Sequence, residues 1–201
     1  MARNDFSTAI QYVTLPFVLL TAVILATCTF SGDVGEMLTR NTVRLSLAWY
    51  AFALLLMMRL AARDWQATTL VGKLTRWCWT WALVTFLVHL VMAFHYYDHW
   101  SHAHAFERTR QVSGLGEGLY ISYFYTVLWS ADVLFWWLSP ARYVVRPAWV
   151  DRTMHCFMLF VVFNSMVVFE AGLIRWAGLL MFAILGIAWW ASSPHRAART
   201  A

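Results

Sequence analysis

Apolar residues in this chain come in long runs, separated by short polar stretches. The runs cover about Ile10–Phe30, Val43–Leu60, Trp77–Tyr97, Leu119–Leu138, Met154–Glu170 and Leu173–Trp190. Each is close to the ~20 residues a helix needs to cross the ~30 Å hydrocarbon core of a bilayer. The pattern therefore predicts an all-α fold: a polytopic membrane bundle of six transmembrane helices, forming one domain over residues 1–201. Pro16 sits inside the first run, where membrane helices tolerate it. Leu25-Ala26-Thr27-Cys28 is read as part of a retained span, because Thr27 is a poor residue before a lipoprotein cysteine and the run is long enough to cross.

Composition strengthens this picture. Of 201 residues, 61% are hydrophobic and 12% charged, against roughly 25% charged in an average soluble domain. The 13 Trp and 8 Tyr suit the two interfaces of a bilayer, which favour amphipathic rings. The net charge of +5 does not point to nucleic acid, since the basic residues lie in short loops between apolar runs. Cys28, Cys78 and Cys156 lie in or beside those runs, have no CxxC spacing, and read as small buried apolar residues.

The loop charges also set an orientation. Arg59, Arg63, Lys73 and Arg76 follow the second run, Arg142, Arg146 and Arg152 follow the fourth, and His195, Arg196 and Arg199 end the chain. Arg40, Arg44, Arg108 and Arg110 on the opposite side are offset by Asp98, Glu107 and Glu117. The positive-inside rule then predicts an inner-membrane protein with both termini cytoplasmic.

Candidate chemistry concentrates after the third run. Five of the seven histidines fall between His89 and His104, in HLVMAFHYYDHWSHAH. No Gly or Pro interrupts the chain from Trp77 to Gly114, so one continuous helix is expected from Trp77 to about Thr109, roughly 48 Å long. On it His95, His99 and His102 fall at i, i+4 and i+7, on one outward-facing stripe beside Asp98. Imidazole is the commonest metal-binding side chain. The stripe is therefore a candidate for part of a transition-metal site (Fe, Cu or Zn) or for haem ligation. Its length prevents it from closing around one ion alone, so Asp98, Glu117 or Glu170 would complete or orient the shell. The competing reading is a solvated Tyr- and His-rich collar at the membrane edge.

Ionisable groups inside spans are costly and are functional candidates by default. Asp132, in the fourth run, must find a donor within the bundle: His89, Arg44 or a tryptophan N–H. Asp132 and His89 are the candidate catalytic pair, a buried relay below the histidines. Asn164 reads as interhelical glue, and Glu170 is expected to pair with Arg175 across a short turn. A haem held by His89 and His155 is disfavoured, because the two lie at different depths. No P-loop, GxSxG or HExxH motif is present, and Gly114-x-Gly116-x-Gly118 is a connector between helices. The expected function is a membrane metal- or haem-binding protein, as a redox enzyme acting on a hydrophobic substrate. The alternative is a non-catalytic subunit of a membrane complex, or a small proton or ion transporter using these His and Asp side chains. The expected partners are the lipid bilayer and fellow membrane subunits, with no nucleic acid.

Overall fold

The computed structural model describes the backbone of residues 2–200 and the side chains of residues 11–192. The basic tail residues His195, Arg196 and Arg199 lie outside the described side chains. The described chain is all-helical: α1 (Ala2–Phe30), α2 (Val34–Met57), α3 (Leu70–Tyr96), α4 (His102–Ser113), α5 (Gly118–Leu138), α6 (Pro140–Val144), α7 (Ala148–Phe163) and α8 (Gly172–Thr200). A 3₁₀ turn (Ala62–Gln66) precedes α3, and a π-helical turn (Asn164–Val168) extends α7.

The six apolar runs all fall on helices, but they are not equal. Among the described residues, three helical segments are long and apolar enough to cross a membrane: Gln11–Phe30, Leu70–Tyr96 and Gly172–Ser192. The others carry polar load or are shorter. The first half of α2 bears Arg40, Asn41 and Arg44, α5 bears Asp132, and α7 has 16 residues. Within the three apolar segments, 39% of the α3 window is buried, against 17% for α1 and 11% for α8. α3 is thus the central post, and α1 and α8 turn their apolar faces outward.

α2 and α3 form an antiparallel hairpin at the centre. α1 packs on both, α5 packs on α3 and α7, and α8 packs on α2 and the π turn. Local signals start and stop the helices. Asp33, Thr69 and Ser101 each accept a hydrogen bond from a backbone N–H in the first turn of α2, α3 and α4. Gly72 lets α3 seat directly on the 3₁₀ turn, since a Cβ there would lie 2.0 Å from the Asp64 carbonyl oxygen.

The core is aromatic. Trp79, Trp129, Trp136, Tyr50 and Tyr143 are all essentially without solvent exposure. The loops before α3 and after α5 meet at one end of the bundle, where Trp136 Nε1 donates to the Trp65 carbonyl at 2.8 Å and α6 packs on the 3₁₀ turn. This is the basic end, as the loop charges predict. The α1–α2 turn and the end of α3 meet at the other, where Gly35 lies against the Tyr96 ring.

Candidate functional site

The continuous helix from Trp77 to Thr109 does not form. α3 ends at Tyr96, and His99 and Trp100 adopt left-handed backbone, with φ of 46° and 60°. The Trp100 N–H reaches back to the Phe94 carbonyl at 3.0 Å, and Ser101 starts α4 as its cap. Asp98 explains the reversal. It is fully buried and accepts two hydrogen bonds from Arg108, at 2.8 and 2.7 Å, which tie the turn under α4. This exchange of a straight helix for a buried ion pair is a tertiary effect, and it destroys the three-histidine stripe.

The outer residues therefore scatter. His95 is exposed beside the Tyr96 ring, and His99 stands edge-on to His104 with centroids 6.3 Å apart. His102 is exposed, with Nδ1 3.1 Å from the Tyr123 hydroxyl. Glu117 is exposed at the start of α5. Glu170 meets Arg175 through its backbone carbonyl rather than its carboxylate. Among the described residues, no three His, Cys, Asp or Glu side chains gather as a metal site would require. The expected metal shell thus has no three-ligand donor set among the described residues, and His95, His99, His102 and His104 stand exposed, with Tyr96, Tyr120 and Tyr123 beside them.

Asp132 and His89 do not touch either. His89 Nδ1 lies 2.9 Å from the Thr39 carbonyl and donates to it, which leaves Nε2 as the acceptor. A chain of packed rings, His89–Phe86–Trp129–Trp79, leads from it toward Asp132. His155 stands beyond Trp79, with centroids 5.7 Å apart, so it cannot face His89 across a haem. His89 instead borders a small cavity of about 180 Å³, with Ser122, Tyr125 and Ser165.

The polar groups that do converge lie at the basic end. Asp132 accepts hydrogen bonds from Trp79 Nε1 at 2.8 Å and the Tyr143 hydroxyl at 3.2 Å on one oxygen, and from Arg146 at 2.5 Å on the other. A tryptophan N–H is among the donors expected for Asp132, but the cation is Arg146, not Arg44. Arg146 also donates to the Tyr143 hydroxyl at 2.9 Å, pairs with Asp151, and lies over the Tyr143 ring at 3.8 Å. Burial pushes the Tyr143 phenol well above its ordinary range, and Asp132 adds to that, so it stays a neutral donor. Burial alone would lower the Arg146 pKa, but Tyr143, Asp132 and Asp151 outweigh it and keep the guanidinium charged. Sequence reading took Arg146 for a topology signal. The clue available was that α5 ends six residues after Asp132, within reach of a loop cation.

Beside this cluster opens a cavity of about 1060 Å³ between α2, α7 and α8. Leu54, Met57, Leu159, Phe182 and Leu185 wall it, while Arg59, Trp65, Asp151, Arg152, His155 and Trp189 stand toward its basic end. His155 Nε2 lies 3.6 Å from Asp151. An apolar cleft with a few convergent polar groups is the usual form of a small-molecule site.

Together these features define a class, an all-helical protein with three helices apolar enough to span a membrane and a cleft at its basic end. No family model, curated protein or solved structure matches the chain.

Proposed function

We propose that this chain is a six-span inner-membrane protein that takes an amphiphilic molecule from the bilayer into the cavity between α2, α7 and α8. The observation that supports this most is the cavity's split character, with apolar walls along three helices and guanidinium, carboxylate and imidazole groups at one end. An amphiphile carries the same division. α8 turns most of its surface outward, so the cavity lies one helix away from lipid. α2, α5 and α7 complete the six spans, and two of their polar groups are held within the bundle: Ser46 donates to the Ala82 carbonyl, and Asp132 is held by Trp79 and Arg146. The positive-inside balance of the loops supports an orientation with the cavity and both termini on the cytoplasmic side and the histidine segment outside.

The test is fluorescence quenching in detergent-purified protein. Trp65 and Trp189 border the cavity, so a doxyl-labelled stearoyl chain should quench saturably. Gly186 also lines the cavity, and a Cβ there meets nothing within 4 Å. Gly186→Phe should narrow the space and weaken the saturable component. Quenching that is absent in the unaltered protein, or undiminished in Gly186→Phe, overturns the reading.

A further inference from the structure

We infer that the amphiphile is anionic and that Arg59 and Arg152 hold its carboxylate or phosphate head group, an assignment that rests on the cavity reading above. Three helices grade from polar to apolar in the same direction. Arg152 gives way to Leu159 along α7, and Ser192 to Phe182 along α8. Arg59, just past the end of α2, gives way to Leu54. These steps span roughly 7–15 Å of helix, the distance from a head group into the first part of an acyl chain. A single chain with one polar end fits that gradient, head toward the basic end and tail toward the bilayer centre.

The sign of the head group follows from which charges are already engaged. Among the described residues, Asp151 is the only acidic side chain lining the cavity, and it is committed to Arg146. Arg146 is in turn shared with Asp132. Arg59 and Arg152 are exposed, and neither has an acidic partner among the described residues. Arg152 uses only its Nε, donating to the Ala148 carbonyl at 3.2 Å. The guanidinium nitrogens left over come from two separate elements and offer planar donor pairs suited to carboxylate or phosphate oxygens. Arg152 also lies one turn into α7, whose N-terminal end favours negative charge.

The experiment compares 12-doxyl-stearic acid with its methyl ester, which has the same tail and no charge. Both titrations follow quenching of the unaltered protein. The acid should bind about three- to tenfold more tightly, the range that contacts to exposed guanidinium groups supply. In Arg59→Gln/Arg152→Gln the difference should shrink to about unity while the ester still binds. Both arginines are exposed, so the fold is expected to survive, and the acid–ester comparison on the unaltered protein does not depend on the variant. Equal binding of acid and ester overturns the anionic assignment but leaves the cavity reading standing. Saturable quenching by neither overturns both. Displacement of the acid by inorganic phosphate at equal molarity overturns the lipid source in favour of a free anion.

Discussion

The two ends of this bundle use their polar side chains in opposite ways. At the outer end, four histidines lie within ten residues of chain, yet they stand apart on an exposed collar. At the basic end, Asp132, Tyr143, Arg146, Asp151 and Trp79 come from α3, α5, α6, α7 and the loop before α7, and they converge on one buried network. Closeness in sequence delivered no site, while separation in sequence delivered one. Inside a membrane bundle an unpaired charge is intolerable, so burial forces distant partners together. At a solvated edge water satisfies each imidazole alone, and nothing forces assembly.

This contrast can be broken by substitution. Arg146→Met leaves the Asp132 carboxylate, 3% exposed, without its cation. The expected loss is about 3–5 kcal/mol of stability, whereas His95→Ala should cost no more than about 0.5 kcal/mol. Unfolding in mixed micelles, followed by circular dichroism, compares them directly; equal losses would erase the difference between the ends. Next comes Gly72→Ala, which pushes a methyl group into the Asp64 carbonyl under the basic-end loops. It should cost about 1–3 kcal/mol in the same assay.

Asp98→Asn sharpens the outer side of the comparison, because Asp98 is the one fully buried acid there. Its partner Arg108 is 42% exposed, so solvent screening limits the loss to about 1–2 kcal/mol. The smallest effect is expected from EDTA, which should leave the melting temperature unchanged. A fall in melting temperature on chelation would show that the collar gathers around an ion after all.

Hydrophobic runs carried most of the fold. All six coincide with helices, and α5 begins and ends within a residue of its run. Arg59, Arg63 and Arg142 also marked correctly the loops that meet at one end. The break after Tyr96 was hidden because His99 and Trp100 are not residues that announce left-handed backbone. Its cause is an ion pair ten residues apart, although Ser101 was a legible helix cap. The site was legible only in part. Asp132 stood out as a buried charge, but its cation lay in a loop, and the cavity depends on how α8 leans against α2 and α7, which no local pattern encodes.

The ring column between His89 and Asp132 has a consequence for how such a protein can change. Trp79 and Trp129 are at most 1% exposed, and their packing with Phe86 makes one continuous column of rings through the middle of the bundle. Rings in close contact transmit volume, so a change in the size of one ring is felt along the whole column. A substitution that resizes Phe86 or Trp129 is therefore expected to shift both the His89 side and the Trp79–Asp132 side of the column.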